Sequence, residues 1–184
     1  MIDTLEDLRA AVRTGQTFRY ELFWAHHPSP DGRITAACLS QWWACEFTLD
    51  GVAYASAEQW MMAAKARLFD DAATLAAMLA TDDPAVVKKL GRAVRGFDEA
   101  RWRAVCSDLV TRGNIAKFGQ NPALKAFLLG TADAVLVEAS PFDDVWGIGL
   151  GAADESATDP LRWEGENLLG FALMRAREQL RATV

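Results

Sequence analysis

The sequence predicts an α+β fold, mainly helical, formed as a single domain around a small sheet of short strands. Three observations carry that expectation. Helix start and stop signals crowd the stretch from Ser56 to Gly130, and a closing helix follows over 165–180. Strand-like segments are few and short. No repeat, low-complexity tract or long linker divides the 184 residues, which is the size of one domain.

Residues 3–13 read as an amphipathic helix and 17–24 as a strand. Pro28, Pro30 and Asp31-Gly32 make 26–34 a loop. Segments 45–49 and 52–55 flank Asp50-Gly51, a dipeptide that favours the two-residue hairpin turn with positive φ. Ser56 followed by Gln59 forms a capping box ahead of a helix over 60–69. A helix over 72–80 follows, and Pro84 after Asp83 opens another. Asp98 caps a long helix to about Phe118, and Asn121-Pro122 starts one that stops at Gly130. The apolar run 134–139 is a strand, 143–151 is a glycine-rich loop, and 154–160 is a polar loop.

Composition narrows the function. With 19 basic and 25 acidic residues the net charge is −6, which disfavours non-specific binding along duplex DNA, an affinity that comes from neutralising phosphates. A nucleic-acid substrate is therefore expected to be met at one nucleotide. Cys38, Cys45 and Cys106 form no CxxC pair, and with only His26 and His27 no zinc set has the usual spacing. The thiols read as reduced core residues of a cytoplasmic protein. The acidic amphipathic start is unlike a signal peptide, and no apolar run approaches the ~20 residues that span a bilayer.

Glu58 and Lys65 are seven apart and share one helix face, with Lys65 leaning back toward Glu58. Around them lie Trp60, Met61, Met62, Leu68 and Phe69, so the helix is expected to be buried. Burial lowers a lysine pKa and raises that of a carboxyl, the route to a nucleophile and a general acid. The plainer alternative is a helix-dipole glutamate and a lysine whose ammonium reaches solvent. Asp143, Trp146 and Gly147 lie in a loop whose glycines would let the backbone approach a ligand. Asn167 falls in the first turn of the last helix, where free N–H groups attract anions, although an ordinary cap is the simpler reading. Lys88, Arg92 and Arg95 share one side of a helix while Lys89 projects away, and Arg92 is the best phosphate clamp among them. Of the adjacent Trp42 and Trp43, an extended segment would bury one and leave the other to stack on a ligand.

In this order the segments LSQWW (39–43), YASAEQWMMAAKARLF (54–69), KKLGRAVRGFDEARW (88–102), KFGQNPALKAFLLGT (117–131), LVEASPFDDVWGIGL (136–150) and WEGENLLGFALMRAREQL (163–180) resemble the NADAR family of NAD- and ADP-ribose-related proteins, which includes the YbiA-type N-glycosidases. The resemblance runs from about Phe23 to Leu180. It implies cleavage of N-glycosidic bonds on either of two substrates: ribosylamino-pyrimidine phosphates of riboflavin synthesis, or ADP-ribose on guanine in nucleic acid. It also leaves open an ADP-ribosyltransferase toxin as partner. By motif, Glu58 and Lys65 fall in the family's E…K helix, Asp143, Trp146 and Gly147 in its D-x-x-W-G loop, and Asn167 in its G-x-N segment. Gln59 stands where many members carry histidine, and Gln41 where many carry asparagine.

Cleaving a C1–N bond requires a proton on the leaving nitrogen and support for positive character at C1. Glu58 or Asp143 is expected to carry the proton or hold water, and Lys65 to form a Schiff base with the opened sugar. No metal or redox cofactor is expected. The competing reading is a non-catalytic module that binds ADP-ribose or a related nucleotide.

Overall fold

In the computed structural model, which describes residues 2–183, the chain forms α1 (Leu5–Arg13), β1 (Tyr20–Phe23), a 3-10 turn (Ala36–Leu39), β2 (Phe47–Leu49), β3 (Val52–Tyr54), α2 (Ala57–Leu68), α3 (Ala72–Leu79), α4 (Pro84–Arg92), α5 (Glu99–Arg103), α6 (Cys106–Gln120), α7 (Pro122–Gly130), β4 (Val135–Glu138) and α8 (Leu168–Arg181). The mainly helical α+β class is the one observed. These elements pack as two compact units, one running to Ser40 and resuming at Ala123, the other spanning Gln41–Pro122.

The inner unit is arranged around α2. Its hairpin pairs β2 with β3 antiparallel from Phe47↔Tyr54 to Leu49↔Val52. Asp50 and Gly51 have φ of 54° and 75°, the left-handed values that such a turn needs. Helix α2 is buried nearly all round, with α3, α4 and α6 packed against it. Close approach depends on two glycines. A methyl group at Gly91 would overlap the Met62 sulfur, and one at Gly113 would overlap the Trp60 indole. Trp60 Nε1 donates to the Leu109 carbonyl (2.8 Å), so the ring is fixed as well as packed. The single helix expected over 98–118 is two helices: α5 ends at Arg103 and α6 starts at Cys106.

In the other unit β1 and β4 pair in parallel, from Tyr20↔Val135 to Phe23↔Glu138. The paired strand is only four residues long, shorter than the 17–24 expected. Val135, Val137 and Ala139 join Leu8, Ile148, Ala157, Trp163 and Phe171 in the core, and α8 packs on β4. Arg9 donates to the carbonyls of Pro160 and Trp163 (2.9 and 3.0 Å), tying α1 to the polar loop. Among the described residues no helix is long and apolar enough to cross a membrane.

Candidate functional site

The inner unit holds Glu58, Lys65, Trp42, Trp43 and Arg92. At the start of α2, Ser56 Oγ accepts the Gln59 N–H (3.2 Å), one arm of the expected capping box. The other arm is displaced: Gln59 Oε1 accepts from the Ala55 N–H (2.7 Å) rather than that of Ser56. Gln59 Nε2 donates to the carbonyls of Met78 and Thr81 (3.1 and 2.8 Å). The glutamine that replaces the family's histidine is thus a tether between the hairpin exit, α2 and the end of α3.

Glu58 is 3% exposed, in the first turn of α2. Its N–H donates to the Gln41 carbonyl (2.9 Å), which fixes the 41–43 segment against the helix start. Residues 41 and 42 form a turn rather than an extended strand, yet the two rings still diverge in environment. Trp43 is buried and Trp42 half-buried, with the Lys88 ammonium 5.8 Å from its ring centroid. Gln41 is itself buried and its Nε2 has no hydrogen-bond partner among the described residues. An orphaned buried donor is costly and calls for an explanation. Its only trace in the sequence was the departure from the family asparagine.

Lys65 is half-buried on α2. Its Nζ donates to the Gly91 carbonyl (2.9 Å), lies 4.0 Å from the Phe97 ring centroid and 5.8 Å from that of Trp102. Burial pushes its pKa below the ordinary lysine value, and the Glu58 charge acts in the opposite direction. The two residues therefore sense each other, while the ammonium is held by the Gly91 carbonyl and the Phe97 ring.

Arg92 is exposed in the last turn of α4. The expected basic stripe is shorter than its spacing implied, because α4 is capped at Ala93 and Arg95 lies beyond it. Arg95 Nη2 pairs with Asp71 Oδ1 (2.6 Å), and Asp71 also caps α3 by accepting from Thr74. These contacts, Arg95 first, hold the Asp71 carboxyl well below the usual carboxylate range.

The other unit interlocks Asp143, Trp146, Gly147 and Asn167. Asp143 Oδ1 accepts the N–H groups of Val145 and Trp146 (3.1 and 2.8 Å), which folds the loop back on itself. The loop carbonyls then cap α8: Asp144, Gly147, Val145 and Trp146 accept from the N–H groups of Glu166, Asn167, Leu168 and Leu169 in turn (2.8–3.2 Å). These amides are satisfied within the chain, which agrees with the simpler capping reading rather than with an anion site there. Asn167 is not in the first turn but is the N-cap residue, in the left-handed region at φ 56°. Its side chain turns to the strand: Oδ1 accepts the Glu138 N–H (3.0 Å) and Nδ2 donates to the Leu136 carbonyl (2.9 Å). The glycines likewise serve the chain rather than a ligand. A methyl group at Gly147 would press on the Glu138 and Asp143 carbonyls, and one at Gly165 on Gly147 and Asp144.

Comparison with known proteins places this arrangement. The NADAR domain model matches residues 22–181. N-glycosidase R617 of Acanthamoeba polyphaga mimivirus is 40% identical over 169 residues, covering 89% of this chain and 98% of the relative. The maize riboflavin biosynthesis protein PYRR, chloroplastic, is 36% identical over 105 residues, 55% of this chain and 15% of the relative. The NMR structure of the Escherichia coli protein YbiA superposes with a TM-score of 0.70 at 28% identity, covering 91% of this chain and 88% of that one. On the family match across most of its length, this chain belongs to the NADAR family.

Proposed function

We propose that the chain is an N-glycosidase, a hydrolase that cleaves the bond between C1 of a phosphoribose or ADP-ribose and a nitrogen base, with Lys65 as nucleophile and Glu58 as proton carrier. The observation that carries this reading is a lysine whose amine is freed of its proton more readily by burial, on the same helix as a buried carboxyl. Relatives named N-glycosidase support the reaction class.

The chemistry balances without a cofactor. Glu58 protonates the ring oxygen as the C1–O bond opens, which leaves the base nitrogen joined to C1 as an imine. The neutral Lys65 amine adds to C1, and the base departs as its amine, taking the bonding electron pair and a proton. Water adds to the resulting Lys65 imine and releases the sugar aldehyde and the free lysine. Asp143 is the weaker acid–base candidate, since one carboxylate oxygen already holds its own loop. We assign the unpartnered Gln41 Nε2 to a sugar or base acceptor, Arg92 to a phosphate, and Trp42 to the base.

The relative named for riboflavin biosynthesis supports a ribosylamino-pyrimidine phosphate as substrate. For ADP-ribosylated guanine, an ADP-ribosyltransferase is the reaction that would supply the substrate. Free thiols suit a reducing compartment, and we place the protein in the cytoplasm.

Borohydride added during turnover is expected to trap a sugar adduct on Lys65, read by peptide mass spectrometry. Lys65→Ala and Lys65→Arg should both abolish trapping and turnover, because a guanidinium keeps the charge but forms no imine. Near-normal turnover by Lys65→Arg without adduct would replace the imine route with direct water attack. Tight binding of ADP-ribose without turnover of any ribosylated base would make the protein a reader.

A further inference from the structure

One cavity of the inner unit lies away from the reacting pair. Its volume is about 390 Å³, and it is bordered by α2, the first half of α6 and the turn between β2 and β3. At about 100° per residue, Trp60, Ala64, Arg67 and Leu68 share one face of α2, roughly 120° round the helix from the face of Glu58 and Lys65. Ala64, Leu68, Val105 and Leu109 line the cavity with apolar surface. The Trp60 wall is held in place: its Nε1 donates to the Leu109 carbonyl (2.8 Å), and Gly113 packs directly under the indole. Two guanidiniums reach the cavity from different helices, each backed by an aromatic ring. Arg67 Cζ lies 5.8 Å from the Tyr54 centroid and Arg112 Cζ 5.6 Å from that of Trp60. Arg112 is paired with Asp50, the left-handed turn residue of the hairpin. The lining thus carries two positive charges and one negative, a surplus of one, in a chain whose net charge is −6. Arg67 also borders Asp70 and Asp71, of which Asp71 is committed to Arg95.

We propose that this cavity is a second ligand site, separate from Glu58 and Lys65, for a small monoanion with an apolar body, of the kind an aryl carboxylate represents. The apolar body lies on Ala64, Leu68 and Leu109, and the carboxylate on Arg67 with Arg112 beside it. A guanidinium fork matches a carboxylate with two parallel hydrogen bonds, which gives orientation as well as attraction. The volume is that of a small-molecule site, and a mainly apolar lining with a few convergent polar groups is the usual composition of one. The surplus of one positive charge selects a monoanion over a dianion, since a second negative charge would stand against the Asp50 carboxylate uncompensated. Ring-backed guanidiniums and a fixed indole need little ordering when the ligand arrives.

The test reads binding to the full chain, so that it stands apart from catalysis. The probe is naphthoate, followed by isothermal titration calorimetry beside its neutral amide and beside acetate. Naphthoate should bind at one saturable site about tenfold or more tightly than either control, because the amide lacks the charge and acetate lacks the apolar body. Arg67→Gln should weaken naphthoate binding by about tenfold or more at an unchanged melting temperature, and Arg67→Lys should recover only part of the loss. Asp50→Asn suits the same left-handed turn and removes the competing carboxylate from Arg112. It should tighten naphthoate binding by roughly two- to fivefold, a gain that no damaged fold produces. Failure of naphthoate to saturate, equal affinity for naphthoate and its amide, or undiminished affinity in Arg67→Gln overturns the site. Silence of naphthoate beside Arg67-dependent binding of an acidic amphipathic peptide would make the cavity a protein-docking surface and overturn the small ligand.

Discussion

Lys65 sets the pH response expected of the molecule. Its pKa is lowered by burial and partly restored by Glu58, so the native state holds fewer protons than the unfolded chain just below the ordinary lysine value of 10.5. Stability contributed by this group therefore rises with pH through that window. The same order applies to catalysis, since the attacking form is the neutral amine. Glu58→Gln removes the opposing charge together with the proton carrier, so the rising limb of kcat/KM against pH should move to lower pH while the maximal rate falls by about 10²-fold or more. An unmoved limb would mean that the two side chains are not coupled in the reacting enzyme. Arg92 makes a different prediction, because it is exposed in the last turn of α4. Arg92→Ala should raise KM about ten- to hundredfold for a phosphorylated substrate while sparing the dephosphorylated analogue and the melting temperature. Equal effects on both substrates would return Arg92 to the surface.

At the scale of elements, the latch between β4, the 143–147 loop and α8 is the part most exposed to a single change. Asn167→Ala strands the Glu138 N–H and the Leu136 carbonyl, and each such buried group costs about 1–3 kcal/mol. A loss of roughly 2–5 kcal/mol in urea unfolding is expected. Asn167→Gly relieves the left-handed backbone but not the polar loss, so it should recover no more than about 1 kcal/mol relative to alanine. Near-wild-type stability of both variants would deny the latch. This latch also marks what the sequence could not convey. The Asp50-Gly51 turn was legible because its chemistry is local, as was the Ser56 half of the α2 cap. Asn167 bonds a strand 29 residues earlier, and no neighbour of Asn167 announces it. The break between α5 and α6 falls at Ala104 and Val105, which carry no stop signal, and the Val105 side chain caps nothing. The Glu58–Lys65 face was readable from periodicity. What holds the ammonium was not, because Gly91 and Phe97 meet Lys65 only through helix packing.

At the scale of the whole molecule, the charge of −6 constrains how a nucleic-acid strand could be held. Affinity that comes from neutralising phosphates falls with salt in proportion to the phosphates contacted, with a logarithmic slope of about −0.7 per contact on single strands. Several basic residues are already committed within the chain. Arg95 is committed to Asp71 and Arg112 to Asp50, and Arg177 is buried with its guanidinium donating to Thr131 and Ala134. Arg92, exposed in the last turn of α4, offers one phosphate contact. Binding of a five-nucleotide single-stranded DNA with a central ADP-ribosylated guanine should therefore weaken by only about four- to sixteenfold between 50 and 200 mM salt, with a slope of about −1 to −2, as for one to three phosphates. Arg92→Ala should make the slope shallower by about 0.7. A slope of about −4 or steeper would mean that a long basic track holds the strand, and Arg92 would then not be the principal contact.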